Sequence, residues 1–570
     1  MLQRIPVTRF GLLWAGLAAL VITAACLPLL AYGPQAGHDL ILLLPWAQHF
    51  AEQVLAGELY PRWLPGLYGG AGSPAFFYYP PLAFQISSLA VLACGSCSPL
   101  VQLGLAEWFV VLLSAGTFAW FARVHAPLPA VAVGALFYAL APYHIAMDLL
   151  FRQAFAEASS YIWIPVVFGA IDRLASKRGI TLLAIGYALL LMTHLPTALL
   201  VSPFLALYSC SLAYNTRRKD LLLRAMAGGS LGLLLAAIYL LPALTLQDAV
   251  SMEKLWGEQY HYDRWLFFNN ENLADKRPFL EAGMAALALL VVALPGLWFR
   301  PSGCQSCLLV FLALALTGCW FLMSTPSAWL WGMLEPLQRV QFPWRLLVMH
   351  DWVVSMAVTL CLGFALRNGR PVALVYSALV AVVAILLCGY FLYQQYQNHF
   401  AKQDDPRQQQ RLEYVLATGY SASEYLPADL DIRVARFVAV AARAPLLAFD
   451  DGKGELTLEK QRSRELVVAA ALEEPVELIL KQFYYPGWTA VLEWPNGRVT
   501  NLPVRSHSRL RLLTLDLPAG DFELRLALRP GWQELLGRTL SVSGVLALGV
   551  LAYLGRRSRQ LLDNNKGIQQ

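Results

Sequence analysis

Twelve apolar runs, each near the length of a membrane-crossing helix, dominate this 570-residue chain, at about 10–31, 100–122, 128–145, 155–173, 180–195, 197–214, 222–245, 280–299, 306–323, 345–366, 371–393 and 538–555. A hydrocarbon core of about 30 Å takes roughly 20 apolar residues as a helix, because lipid offers a backbone amide no partner and a helix satisfies its own. The fold class expected is therefore a polytopic α-helical membrane protein with about twelve spans. The composition agrees, with only 14% charged residues against about 25% in soluble domains. A net charge of +6 is small for the length and excludes a nucleic-acid partner; it suits basic cytoplasmic loops. The first run is about 22 residues long, span length rather than signal-peptide length.

Basic residues mark the cytoplasmic side. Arg4/Arg9, Arg123, Arg173/Lys177/Arg178, Arg217/Arg218/Lys219, Arg300, Arg367/Arg370 and Arg556/Arg557/Arg559 all fall on one side if twelve runs cross, with both termini cytoplasmic. A thirteenth apolar stretch, 80–93, would invert every later cluster, so it reads as a juxtamembrane or re-entrant helix. The expected layout is a transmembrane domain over 1–393 with a large first outer loop at 32–99, an outer domain over 394–537, and a final span and tail over 538–570. From about 430 the pattern alternates in β fashion ("ELVVAAALEE", "VELILKQFYY", "FELRLAL"), broken by turns such as "DDGKG" and "PNG", which predicts an antiparallel β-sandwich outside the membrane. The tail 556–570 is expected to lack structure. Of two CxxC pairs, Cys94/Cys97 and Cys304/Cys307, neither has the companions of a zinc site, and Cys94/Cys97 is the candidate disulfide.

The unusual polar residues gather on the outer side. His38 and Asp39 follow the first span. Glu58, Arg62 and Trp63 lie in "GELYPRWLPGLYGGAGSPAFFYYPPLAF", Arg152, Gln153 and Glu157 in "FRQAFAEASSYIW", and His194 in "THLPT". Glu253, Lys254, Asp263 and Arg264 occupy 246–279, and Gln341 and Arg345 stand in "RVQFPWRLL". Ionised groups cost roughly 2.5–3.5 kcal/mol at the bilayer centre, so several at the span mouths predict a wet cavity opening outward. Gln153 and Glu157, four apart, are expected on one helix face, as are His144 and Asp148. Structural roles compete at most of these positions: head-group contacts for Arg62, Lys254 and Arg264, an ion pair for Arg152 and Glu157, a polar turn for His194. Asp39 has no cationic neighbour in sequence and is the candidate catalytic acid–base group.

The segment "GHDLILLLPWAQHFAEQVLAGELYPRWLPGLYGGAGSPAFFYYPPLAF", with "RQAFAEASSYIWIPVVF", "LMTHLPTALL", "YLLPALTLQD" and "QFPWRLL", resembles a bacterial membrane-protein family labelled 6-pyruvoyl-tetrahydropterin-synthase-related. Nothing in the chain suits a soluble pterin enzyme. Over roughly residues 1–200 the layout is similar to the C-type (GT-C) glycosyltransferases. That resemblance implies a polyprenyl-phosphate-linked sugar as donor, with its tail between spans, and a glycan, lipid or protein acceptor in the envelope. It maps the acid after span one onto Asp39 as general base and a second acidic position loosely onto Asp148 or Glu157. The arginines Arg62, Arg152 and Arg345 would meet the phosphate. Glu157 and His194 would bind sugar hydroxyls or orient Asp39, His38 would contact substrate, and Trp63, Tyr78 and Tyr79 would stack on sugar or line the lipid groove. His38-Asp39 stands where many relatives carry Asp-x-Asp or Asp-Glu, which leaves a divalent cation open and no metal ligand assigned. The alternative is a non-catalytic carrier, flippase-like protein or scaffold of a surface-polysaccharide pathway.

Overall fold

A computed structural model describes residues 9–300, 306–420, 422–440, 447–448 and 454–567. Arg4, Cys304, the Glu253 side chain and most of the "DDGKG" turn lie outside the described residues. The chain is mostly helical and carries an antiparallel β region near its C-terminus.

Among the described residues, eight helices are long and apolar enough to cross a membrane: Pro99–Ala122, Leu128–Arg152, Leu195–Thr216, Asp220–Thr245, Leu273–Phe299, Pro343–Asn368, Pro371–Gln403 and Trp532–Tyr553. The other four expected runs are helical but shorter or broken. The first splits into Arg9–Ala25 and Leu27–Tyr32, with Pro28 in the first turn of the second piece. The run from 155 divides into Phe155–Ser159, Ser160–Ile162 and Ile164–Ile171, where Pro165 lacks the amide a continuous helix needs. Lys177–Thr193 and Ser306–Met323 hold 17 and 18 residues. Apolar content alone overcounted full-length helices.

Two further expectations change. The run expected to end at 145 is longer, because the helix Leu128–Leu140 continues as a π-helix, Pro142–Arg152. The tail is not irregular either, since the last helix runs from Trp532 to Gly567.

The first loop is built on two helices. Leu40–Leu55 packs on Leu82–Ala93, the segment read as juxtamembrane, and a Cys94–Cys97 disulfide joins the latter to Pro99–Ala122. The helices Pro406–Thr418 and Ile432–Val440 precede the β region. Its strands are β1 (Leu447–Ala448), β2 (Gly454–Arg462), β3 (Glu465–Leu472), β4 (Val476–Phe483), β5 (Trp488–Glu493), β6 (Val499–Leu502), β7 (Arg505–Ser506), β8 (Leu512–Leu517) and β9 (Gly520–Leu528). They form two antiparallel sheets, ordered β1-β4-β8-β7 and β2-β3-β9-β5-β6.

The β region rests on the first loop. Phe483 N–H donates to Ala71 O at 2.6 Å, Trp63 Nε1 donates to Gln482 Oε1 at 3.1 Å, and Ser463 Oγ donates to Trp63 O at 2.8 Å. The final helix lies along Asp220–Thr245 where small residues permit close approach. An added Cβ on Gly537 would fall 2.7 Å from Ala237 O, and Ser541 Oγ donates to Leu235 O at 2.8 Å.

Candidate functional site

The π-helix carries most of the chemistry. Its wide turn places Tyr143, Asp148 and Arg152 around one centre, and such wide turns recur at functional sites. Gln153 then closes the helix in a left-handed conformation (φ +63°), and Ala154 N–H donates to Asp148 O at 2.8 Å. The chain reverses there, bringing Glu157 back over Arg152. Arg152 Nη1 donates to Asp148 Oδ1 at 2.7 Å and to Glu157 Oε2 at 2.9 Å. Tyr143 Oη donates to Glu157 Oε1 at 2.6 Å, and Arg345 Nε stands 3.1 Å from Glu157 Oε2.

Two arginines and two carboxylates thus neutralise one another in a buried network. Asp148 and Glu157 are almost completely enclosed. Arg152 is buried and its Nη1 is shared between both carboxylates, so it holds the site together. Arg345 is half-buried, with Nη1 donating to Val340 O at 2.7 Å and its guanidinium over the Phe342 ring.

His38 and Asp39 are clamped against this helix end. His38 N–H donates to Phe151 O at 3.3 Å and Asp39 N–H to Arg152 O at 2.9 Å. The Asp39 side chain is half-buried at the start of Leu40–Leu55, and among the described residues its carboxylate makes no hydrogen bond or ion pair. Burial raises its pKa above the ordinary carboxylate value, while the charges of Arg152, Arg345 and His38 pull the other way. It is an acid beside a charge-balanced network. The half-buried Tyr79 and Tyr260 lie within electrostatic reach of it.

The remaining expected residues divide. His194 is buried as the cap of Leu195–Thr216, with Nδ1 2.7 Å from Thr197 Oγ1, yet lies within electrostatic reach of Glu157. Arg62 belongs to a different centre. Its Nε is 3.2 Å from Glu534 Oε2 on the final helix, and Nη2 donates to Ile238 O at 2.6 Å. Trp63 is buried against Tyr485 and Trp488 of the β region. Tyr78 is buried too, donating to Leu246 O at 2.7 Å. The structure therefore gathers His38, Asp39, Arg152, Glu157 and Arg345, with His194 beside them, and places Arg62 and Trp63 elsewhere.

Gln153 and Glu157 do not share a helix face, because the left-handed turn separates them, and Gln153 pairs with Glu107 instead. His144 and Asp148 also part company; the His144 ring stacks on Tyr161 with centroids 3.6 Å apart. Sequence reasoning passed over Glu107, whose signal was a lone acid inside the apolar "LGLAEWFVVLL". Tyr143 carried no such signal.

No group of three or more His, Cys, Asp or Glu side chains among the described residues is placed to hold a metal ion. Asp148 Oδ1 and Glu157 Oε2 are each paired with Arg152. An apolar cleft, lined by Ala25, Phe137, Leu140, Ile385 and Leu392, opens between the first helix, Leu128–Leu140 and Pro371–Gln403. His399, further along the last of these, bonds to Leu150 O at 2.9 Å, so that helix also touches the one that carries the site.

No family model and no curated protein matches the chain, so the 6-pyruvoyl-tetrahydropterin-synthase-related family is not shown for it. Among solved structures, the chain is similar to ArnT from Cupriavidus metallidurans bound to undecaprenyl phosphate, with 15% identity, TM-score 0.42, and coverage of 75% of this chain and 77% of that one. It is also similar to the arabinosyltransferase EmbB from Mycobacterium smegmatis, with 11% identity, TM-score 0.37, and coverage of 90% of this chain and 63% of that one. Likeness at these values assigns this chain no activity.

Proposed function

We propose that this chain is an integral-membrane glycosyltransferase of the GT-C type. It moves a sugar from a polyprenyl-phosphate donor to an envelope acceptor at the outer face of a bacterial cytoplasmic membrane, with both termini cytoplasmic. The observation that carries this reading is the uncommitted Asp39 carboxylate, clamped by its own backbone beside Arg152, Arg345 and Glu157. Inverting transfer needs a base to take the acceptor hydroxyl proton as the anomeric carbon is attacked. It also needs a cation to meet the departing phosphate. Asp39 serves as the base. Arg345, at the rim, meets the phosphate, while Arg152, tied to Asp148 and Glu157, fixes the backbone that holds Asp39. The apolar cleft supplies a path for the prenyl tail.

The test is transfer of radiolabelled sugar from polyprenyl-phosphate donors to envelope material in membranes holding wild type or Asp39→Asn. Transfer by wild type alone, with equal insertion of both proteins, supports the assignment. Equal transfer by both removes Asp39 as base. No transfer with any donor tried favours the carrier or scaffold reading.

A further inference from the structure

Glu107 sits midway along Pro99–Ala122, fully buried, in a helix long and apolar enough to cross the membrane. No ion pair neutralises it among the described residues; the titratable groups that feel it are the Cys26 thiol and the Tyr396 phenol. Gln153 Nε2 donates to Glu107 Oε1. Both groups keep one oxygen without a partner, Glu107 Oε2 and Gln153 Oε1. Two unpaired buried acceptors on a facing pair are costly, and an unpaired buried carboxylate is worse. One proton removes both penalties: a protonated Oε2 becomes a donor, and Gln153 Oε1 is the vacant acceptor on the group it already faces.

Gln153 also touches the loop of the candidate base. Gly37, at φ +138°, lies so close that an added Cβ would fall 2.6 Å from Gln153 Cβ and 3.3 Å from Oε1. The next two residues make the backbone bonds to Phe151 and Arg152 that hold Asp39. Gln153 meanwhile keeps a left-handed conformation that side-chain-bearing residues avoid, so something must hold it there.

We propose that Glu107 is a neutral carboxylic acid closing a two-bond ring with the Gln153 amide, and that this pair is the positioning element that fixes the Asp39 backbone. The pairing stands on geometry alone, whereas its consequence for turnover rests on the transferase reading. A carboxamide reproduces the ring, with one amide N–H replacing the acid O–H. Aspartate, one methylene shorter, cannot span it, and leucine abolishes it.

The experiment uses the full-length purified protein. At about pH 8, where a solvated Glu is almost wholly ionised, the infrared difference between wild type and Glu107→Gln should show a protonated-acid carbonyl band in wild type. Carboxylate bands in its place overturn the pairing. Hydrogen exchange of the 37–40 backbone amides reads the positioning without any substrate. Protection should persist in Glu107→Gln and fall about tenfold or more in Glu107→Asp and Glu107→Leu. Equal protection in all four proteins, or equal loss in Gln and Asp, overturns it. With a polyprenyl-phosphate-[¹⁴C]sugar donor, kcat should fall about 10- to 100-fold in Glu107→Asp with KM within about twofold, as for a small misplacement of a reacting group. Glu107→Gln should restore it. If Leu fails to insert, the Gln and Asp pair decides. If wild type transfers no sugar, the transferase reading fails while the band and the exchange still judge this proposal.

Discussion

Glu534 is the residue whose removal should most loosen this molecule. Its carboxylate is 2% exposed and meets three elements at once. Arg464, beside β3, binds it bidentately at 3.0 Å and 3.0 Å, Arg62 of the first loop approaches to 3.2 Å, and Arg538 on the next helical turn lies at 3.7 Å. Glu534→Ala would leave Arg62, itself 1% exposed, without its anion. Breaking a buried pair in this way costs about 3–5 kcal/mol. At about 1.4 kcal/mol per decade, the population with the β region lifted off the first loop should rise roughly a hundred- to several-thousand-fold. Proteolysis of an opened state tracks that population when reclosing is fast, so limited proteolysis of the β region should accelerate by a comparable factor. Replacing both partners, Glu534→Leu with Arg62→Met, should recover much of the resistance, because no buried charge is then orphaned at that contact. If Glu534→Ala is cleaved at the wild-type rate, the cluster does not hold the β region down and Arg62 is open again to a phosphate-binding role.

Other outcomes follow from the same geometry. Because burial raises the Asp39 pKa and a base must be ionised, the acidic limb of kcat against pH should lie above the ordinary Asp range of about 3.9, and Asp39→Glu should move that limb. The linked stability has the opposite sign: the folded state holds the Asp39 proton more tightly than the unfolded one, so this group's contribution declines as pH rises between its unfolded and folded pKa values. A thermal-stability profile that differs from Asp39→Asn in the other direction would refute this. Glu157→Gln, which leaves Arg345 without its anion and Arg152 with Asp148 alone, should cost about 3 kcal/mol and lower the Tm and the yield of monodisperse protein. Asp148→Asn, which removes one of two anions from Arg152 only, should do less on the same two measurements.

The helical membrane class and the β region near the C-terminus were legible because each has a local signature: long apolar runs in one case, twofold alternation with turn residues in the other. Exact helix lengths were not, since Pro28 and Pro165 interrupt apolar runs without changing their hydropathy. At the candidate site, Asp39, Arg152, Glu157 and Arg345 could be nominated as ionisable groups near span ends, but their partners could not. Arg62 and Arg345 read alike in sequence, as an arginine in an aromatic outer segment. One meets Glu534, some 470 residues away in the chain, and the other meets Glu157. Spacing was misleading at Gln153 and Glu157, where a helical offset of four assumes a helix that the left-handed residue ends.

The sequence by itself determined that this chain lives in lipid, where each long segment must satisfy its own backbone, and that acids and arginines stand near the ends of its apolar runs at a cost in free energy. Only the tertiary structure decided which of those charges cancel. Arg152 is spent on Asp148 and Glu157, Arg62 on Glu534, and Gln153 on Glu107, while Asp39 is held by its amide and its carboxylate makes no hydrogen bond or ion pair among the described residues. Charge pairing depends on distances of about 3 Å between residues far apart in the chain, and no local pattern of residues encodes those distances.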